Sequence, residues 1–172
     1  MRAAIRWTFS AIVISLLLGC DAAPEYVGES KDGKPNGQGK FTWPDGKTYV
    51  GAVADGKREG LGTATWPNGQ KYVGAWKSDK RHGRGTVTWP SGDQYAGGFE
   101  NGKRSGRGTF TFAEGTTYVG DFKDGKPDGH GTFAFPDGSK HVGDFKDGRF
   151  SSEIIGNRMD VSSLNRLVLD PL

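Results

Sequence analysis

Tyrosine recurs in this chain at a fixed interval of 23 residues. The five tyrosines of the sequence all belong to this series: Tyr26, Tyr49, Tyr72, Tyr95 and Tyr118. His141 stands where a sixth would fall. A constant period of this length indicates a repeat architecture, in which each unit buries its apolar side chains only by stacking on its neighbours. We number the positions of the unit from 1 to 23, starting at the tyrosine.

Glycine and the aromatic residues follow the same period. The chain has 29 glycines, and glycine fills position 3 in six successive units, from Gly28 to Gly143. Aromatic residues recur at positions 5, 16 and 18, as in Trp76, Phe110 and Trp89. Positions 1, 3 and 5 share one parity, as do positions 14, 16 and 18, so strands would place the rings on one face. The pattern predicts two strands per unit.

Turn residues separate these predicted strands. A glycine-rich stretch such as residues 55–60 lies between the two strands of a unit, and Pro44-Asp45-Gly46 or a variant of it joins one unit to the next. Proline fixes φ and glycine supplies the positive φ that a tight turn requires. We therefore predict an all-β fold, an elongated single-layer antiparallel sheet of stacked 23-residue β-hairpins.

The repeated motif Tyr-Val-Gly-x-Phe/Trp-x-x-Gly-Lys-x-x-Gly-x-Gly-x-x-x-Trp/Phe-Pro-Asp-Gly resembles the MORN motif (membrane occupation and recognition nexus). The resemblance covers residues 26–148, as five full copies and a partial sixth. It implies a curved or twisted ribbon of hairpins with roles in membrane association, scaffolding and self-association. Lipid-kinase and methyltransferase domains accompany the repeats in other members, but this chain leaves no room for them, so those activities are not expected.

The first 19 residues have the pattern of a lipoprotein signal peptide. Arg2 and Arg6 precede an apolar run at residues 7–18, which is shorter than the ~20 residues of a membrane-spanning helix. The run ends in Leu-Leu-Gly-Cys at residues 17–20, which resembles a bacterial lipobox, and Cys20 is the only cysteine. We predict Cys20 as the lipid-attachment site, with a lipidated tether over residues 20–25. The alternative is a chance cysteine after an ordinary signal peptide.

These features predict a protein of the bacterial cell envelope, anchored by lipid and facing the periplasm. Asp21 follows Cys20 directly and resembles the inner-membrane retention signal of enteric bacteria, which favours the inner membrane over the outer. Loss of Arg2 and Arg6 with the signal peptide leaves 21 basic residues against 20 acidic ones. Export and a balanced charge both argue against a nucleic-acid partner.

Basic residues concentrate in the turns of the second to fourth units: Lys57, Arg58, Lys80, Arg81, Arg84, Lys103, Arg104 and Arg107. Stacked hairpins would lie about 10 Å apart, which aligns the position-9 lysines into a row of cations. Such a row is a candidate contact for an anionic lipid or envelope polymer, with about 1 kcal/mol per cation at an acidic bilayer. The alternative is that lysine-rich turns only keep the sheet soluble.

The sequence contains no pattern that predicts catalysis. The Gly-x4-Gly-Lys stretches resemble the start of a P-loop, but proline or arginine follows where serine or threonine is needed. The three histidines have no metal-ligand or triad spacing. We expect no enzymatic activity, cofactor, metal or small-molecule substrate. An enzyme acting on envelope polymers through Trp43, Trp66, Trp76 and Trp89 is the alternative, although strand parity places these rings in the core.

Residues 149–172 depart from the period, and we predict that they cap the last repeat. Asp160 would begin a short helix over residues 160–169, and a closing strand at residues 166–169 is the alternative. The leading functional hypothesis is a non-enzymatic, lipid-anchored scaffold that offers ring-lined grooves to a protein partner or to another copy of itself.

Overall fold

The computed structural model of the protein describes residues 23–150. The predicted signal peptide, Cys20 and all of the predicted cap (residues 149–172) except its first two residues lie outside the described residues. The described part is all-β. Its strands are β1 (Glu25–Lys31), β2 (Lys34–Thr42), β3 (Thr48–Ala54), β4 (Lys57–Thr65), β5 (Lys71–Lys77), β6 (Lys80–Thr88), β7 (Gln94–Glu100), β8 (Lys103–Thr111), β9 (Thr117–Lys123), β10 (Lys126–Ala134), β11 (Lys140–Lys146) and β12 (Arg149–Phe150).

All of these strands belong to one sheet, and their order in the sheet is their order in the sequence. Every pairing is antiparallel; Tyr72 on β5, for example, pairs with Ala64 on β4 and with Val87 on β6. Each 23-residue unit therefore supplies one hairpin, and successive hairpins pair edge to edge. The predicted fold class is confirmed.

A two-residue turn closes each hairpin at positions 7 and 8, which we call the tip. Asp55 and Gly56 form one tip, with φ values of 49° and 79°. Positive φ at both central residues is the type I′ geometry, whose twist matches that of the paired strands. The predicted turn at residues 55–60 was therefore too long, because β4 already begins at Lys57.

The turns between hairpins have a different geometry. Gly46 N donates to Trp43 O at 2.9 Å, Trp43 N donates to Lys47 O at 2.9 Å, and Gly46 has a φ of 88°. This is a type I turn followed by a left-handed glycine, as expected for the Pro-Asp-Gly sequence.

A bulge shifts the register inside each of the first five hairpins. In the third repeat Trp76 pairs with Arg81, but Gly74 pairs with Gly85, so β6 has two more residues than β5 over this stretch. Gly83 lies in the bulge with a φ of 62°, a left-handed conformation that favours glycine. The tip and the bulge together place position 10 opposite position 5, on the same face of the sheet.

The two faces of the sheet carry different side chains. The ring face carries the position-1 tyrosines, and Tyr49, Tyr72, Tyr95 and Tyr118 are each 0% exposed there. The predicted sharing of one face by the rings is confirmed. The opposite face, which we call the valine face, carries the position-2 valines: Val27, Val50, Val73, Val119 and Val142. These valines are 41–57% exposed.

Glycine at position 14 makes room for the tyrosine ring of the same repeat. A Cβ atom on Gly85 would collide with the ring of Tyr72, whose hydroxyl donates to Ala75 O at 2.8 Å. The same relationship joins Gly62 to Tyr49. Tyrosine at position 1 and glycine at position 14 therefore recur with the same period because the ring of one fills the space left by the other.

The sixth hairpin extends two residues beyond residue 148, the predicted end of the repeats. Lys146 pairs with Arg149, and Phe145 pairs with Phe150. The rings of Phe145 and Phe150 lie 5.0 Å apart between centroids. Phe150 therefore occupies position 10 of the last hairpin.

Candidate interaction surfaces

Three of the eight predicted basic site residues lie on the ring face, at position 10. The side chain of Arg58 is 12% exposed, Arg81 is 8% exposed and Arg104 is 0% exposed. Their low exposure takes these three arginines out of the basic surface that the sequence predicted for the turns. The reason is the two-residue tip, which places position 10 opposite position 5 on the ring face.

Each of these arginines packs against an aromatic ring of the following repeat. The guanidinium carbon lies 4.2 Å from the ring centroid of Trp76 for Arg58, and 5.2 Å from that of Phe99 for Arg81. Arg104 lies 5.6 Å from the Phe122 centroid. Cation–π attraction of this kind contributes about 0.5–2 kcal/mol, depending on desolvation.

The arginines also join neighbouring tips by hydrogen bonds. Arg81 donates from Nε and Nη2 to Gly102 O at 3.1 and 2.7 Å, and Gly102 N donates to Arg81 O at 2.9 Å. Arg58 makes the equivalent contact, from Nη2 to Asp79 O at 2.7 Å and from Nε to Asp79 Oδ1 at 3.0 Å. These guanidinium groups therefore hold one repeat to the next rather than facing an external ligand.

The predicted ring-lined grooves are largely filled by the protein itself. Trp76 is buried, as its parity predicted, and its Nε1 donates to Gly62 O at 3.3 Å. Trp43, Trp66 and Trp89 are half-buried at the border of the core. Lys47 Nζ lies 4.7 Å from the Trp43 ring centroid and 5.5 Å from that of Trp66.

The environment of Lys47 lowers its pKa. Burial is the main cause, and the positive charge of Arg58 acts in the same direction. The burial agrees with the position of the ammonium group over the Trp43 and Trp66 rings.

The other five predicted basic residues are exposed, in two groups. Lys57, Lys80 and Lys103 lie beside the tips, whereas Arg84 and Arg107 lie farther along their strands on the valine face. Acidic residues share the tips, and Lys103 Nζ lies 3.1 Å from Asp124 Oδ1. The tip edge therefore carries both signs of charge.

Valine and threonine alternate from strand to strand along the valine face. Val73 pairs with Thr63 on β4 and with Thr86 on β6, and the same alternation continues through β11, with Ala96 in place of valine on β7. Leu61 is 74% exposed and pairs with Ala75, which widens the apolar surface. Exposed apolar surface that is continuous across several elements marks an interaction site.

The sequence analysis missed the valine face, although its signal was present. Valine occupies position 2 in five of the six repeats, and its parity is opposite to that of the rings. An alternation of rings on one face with valine and threonine on the other predicts a sheet with two apolar faces.

Neither a metal site nor a spanning helix emerges within residues 23–150. No three histidine, cysteine, aspartate or glutamate side chains in this range come together as metal ligands. No helix in the same range has the length and apolar character needed to cross a membrane.

Comparison with known proteins identifies the repeats. A family model described as MORN repeat matches residues 26–48, 49–71, 72–94, 95–117 and 118–140. No curated protein matches the chain. Among solved structures, the chain is similar to the SAS-4 (dCPAP) TCP domain in complex with a proline-rich motif of Ana2 (dSTIL) of Drosophila melanogaster, with 15% sequence identity and a TM-score of 0.41. The similarity covers 62% of this chain and 59% of that chain.

Proposed function

Because the chain belongs to the MORN repeat family, we propose that it is a non-enzymatic scaffold for protein–protein association, held at the bacterial cell envelope by lipid on Cys20. The observation that carries this proposal is the exposed valine face. Its position-2 valines are 41–57% exposed and Leu61 is 74% exposed, whereas four of the five tyrosines of the ring face are buried. The valine face is thus the apolar surface that a partner would cover.

The use of the buried polar groups supports a structural rather than a catalytic role. Arg81 donates to the backbone of the next tip, and Asp93 accepts from Ala113 N at 2.9 Å in the next turn between hairpins. Both groups join neighbouring repeats. A scaffold built in this way keeps its ring face for its own stability and its valine face for a partner.

The proposed anchor would hold the first repeat close to a membrane. Cys20 precedes β1 by five residues, and an extended chain of that length reaches about 17 Å. Two or three acyl chains give stable anchoring, since each buried CH2 contributes about 0.8 kcal/mol. We place the repeats on the periplasmic side, with Asp21 favouring the inner membrane.

Cross-linking of the full-length chain in intact cells tests the scaffold. We expect cross-linked protein species that depend on the valine face, so that Val50→Glu together with Val73→Glu abolishes them. Lys57→Glu is the matched control, because it also adds a carboxylate to the second repeat but lies beside the tip. Identical cross-linking patterns for the valine-face variant and the wild-type chain would refute the proposal.

A second candidate function is contact between the tip lysines and an anionic surface. The tip lysines are Lys57, Lys80 and Lys103, which occupy position 9 of three successive repeats. Lys80 also pairs directly with Lys77 across its tip, which raises the local positive charge. Attraction of this kind weakens as the salt concentration rises.

Vesicle cosedimentation tests this second candidate. The full-length chain carries Cys20→Ser, so that the lipid anchor does not contribute to binding. Its sedimentation with phosphatidylglycerol vesicles is compared with its sedimentation with phosphatidylcholine vesicles. If the contact is electrostatic, the chain sediments with the acidic vesicles and a higher salt concentration weakens this sedimentation. Replacement of all three tip lysines by glutamate should abolish it. Val50→Glu with Val73→Glu is the control variant here. Equal sedimentation with both vesicle types would exclude this function.

A further inference from the structure

We propose that a second copy of this chain docks on the valine face of repeats three to six, with β8 of each copy lying over β9 of the other. The twofold axis of this dimer would run along the strands, between β8 and β9. The inference rests on the proposed scaffold function and adds a self-contact on the same face, beside the Val50 and Val73 surface that other envelope proteins would cover. Three features of the valine face support it.

The first feature is a row of charges beside the valine–threonine stripe. Along this row Arg84 lies on β6 and Arg107 on β8, followed by Asp121 on β9 and Asp144 on β11. The cations therefore lie on one side of the gap between β8 and β9, and the carboxylates lie on the other. A twofold rotation about this gap reverses the order of the strands in the second copy.

That reversal pairs opposite charges across the two copies. Arg107 comes to lie on Asp121 of the second copy, and Arg84 comes to lie on Asp144 of the second copy. Twofold symmetry repeats each contact, because both copies present the same surface. Complementary charges of this kind fix the register of an interface and exclude like-charged arrangements. His130, which lies 3.1 Å from Asp144, faces Gly98 in this arrangement.

The second feature is the alternation of side chains within the stripe. Odd-numbered strands carry valine or alanine at position 2, and the even-numbered strands β4, β6, β8 and β10 carry threonine at position 15. An axis between β8 and β9 lays each odd-numbered strand over an even-numbered one. Val119 would then pack on Thr109 of the second copy, and Val142 on Thr86, so that side chains of different shape interdigitate as in packed sheets.

The third feature is the area available. Strands β6 to β11 would overlap along the stripe, because β12 has only two residues and lies beside the tip, and six strands at a spacing of about 4.8 Å span about 29 Å. Three rows of side chains along the strands add a width of about 20 Å. The product is about 580 Å² per copy, or roughly 1,200 Å² for the two copies together, which exceeds the approximately 1,000 Å² in total expected of a specific interface.

Lys103 and Lys146, which lie near the tips, are at the rim of this interface. Lys103 and Lys146 have acidic neighbours within their own chain, with Nζ 3.1 Å from Asp124 Oδ1 and 2.9 Å from Asp128 Oδ2. Exposed ion pairs at a wet rim contribute little to affinity. The central charges and the stripe therefore determine the arrangement.

Thiol cross-linking of full-length chains with a short bismaleimide tests the inference directly. Two copies with different tags are coexpressed, one carrying Thr86→Cys and the other carrying Val142→Cys. Within one chain these positions lie five strands apart, about 24 Å, whereas facing positions of two stacked sheets lie about 10 Å apart, which a short bismaleimide spans. We expect a bismaleimide link between the two tags. The control pair is Val50→Cys with Val142→Cys, because β3 lies outside the overlap, and it is expected to give only background linkage.

Charge reversal gives a second and independent readout. Arg84→Glu or Asp144→Arg alone should reduce the Thr86–Val142 linkage several-fold, and the two together should restore it. A contact within one chain cannot explain restored linkage in the double variant, because Arg84 on β6 and Asp144 on β11 lie five strands apart. Lys40→Glu, on the valine face of β2 outside the overlap, is expected to leave the linkage unchanged.

Two outcomes would overturn the inference: equal linkage in the control pair, or a double charge variant no better than the single ones. If linkage between copies is absent while other envelope proteins still cross-link through Val50 and Val73, the scaffold function stands and the dimer is refuted. If both kinds of cross-link are absent, the scaffold function and the dimer fail together.

Discussion

The guanidinium carbon of Arg58 lies 4.2 Å from the centre of the Trp76 ring in the next repeat. The same arginine hydrogen-bonds the backbone of Asp79, and Asp79 N donates in return to Arg58 O at 3.1 Å. One side chain therefore links two hairpins through both a ring and a tip. Because Arg81 repeats this contact with Phe99 and Gly102, the stability of the sheet depends on contacts between repeats.

Loss of one such arginine should destabilise the protein measurably. Arg81→Met keeps the length of the side chain but leaves Gly102 O without its two side-chain donors. We expect the free energy of unfolding to fall by about 1–3 kcal/mol, as when a buried hydrogen-bonded group loses its partner. Urea denaturation followed by tryptophan fluorescence gives this quantity. Lys80→Met changes the exposed neighbouring residue and should alter stability by no more than about 0.5 kcal/mol. Equal effects of the two variants would contradict the role assigned to Arg81.

Substitution of glycine at position 14 should be costly because of the tyrosine ring above it. Gly85→Ala would drive a methyl group into Tyr72, which its hydrogen bond to Ala75 O holds in place. We expect a loss of about 1–3 kcal/mol, typical of overpacking. The control is Thr86→Ala, a change on the opposite face of the same strand. Thermal denaturation that ranks the two variants in the reverse order would argue against this packing.

Burial makes the internal tyrosines resist ionisation. It raises the pKa of both Tyr49 and Tyr72 from 10.0 to about 12. Between pH 10 and 12 the folded protein therefore holds more protons than the unfolded chain. Stability from these groups is complete below pH 10 and is lost as the pH rises through 12. Ultraviolet absorbance of the phenolate should show little ionisation of these residues until the protein unfolds. Ionisation of all five tyrosines near pH 10 in folded protein would contradict their burial.

Removal of the proposed lipid should release the protein from membranes. In the bacterial host, Cys20→Ser eliminates the only thiol that could be acylated. We expect the wild-type chain in the membrane fraction and the variant in the soluble periplasmic fraction or retained as uncleaved precursor. Asp21→Ser is the matched control, since it leaves the thiol in place. Identical fractionation of wild type and Cys20→Ser, with no difference in mass from acylation, would refute the anchor.

The 23-residue period was sufficient to predict the fold. Alternating parity placed Tyr72 and Trp76 on one face, and the structure has both of them buried there. The prediction succeeded because each repeat obeys the same local rules of strand and turn. Repeats that contact only their nearest neighbours leave few alternative arrangements.

The position of the arginines was not predicted, because the turn within each repeat was taken to be six residues long. The Asp-Gly pair at residues 55 and 56 is the sequence signal of a two-residue tip, which places Arg58 opposite Val53 and among the rings. The compensating bulge at Gly83 depends on pairing between strands, and composition alone does not reveal such a bulge. The charge order on the valine face likewise became visible only once the register was known.

Distances between spin labels on the valine face test the hairpin ribbon most directly. Labels are attached to cysteine at position 142 and, in separate samples, at positions 27, 50 or 73, in a Cys20→Ser background diluted with unlabelled chain. From β11 these positions are ten, eight and six strands away, so the predicted distances are about 48, 38 and 29 Å. An increase of about 10 Å with each added repeat is the result we expect. Distances that do not rise in this order would contradict the single-layer sheet, and with it the two-faced surface on which the proposed function depends.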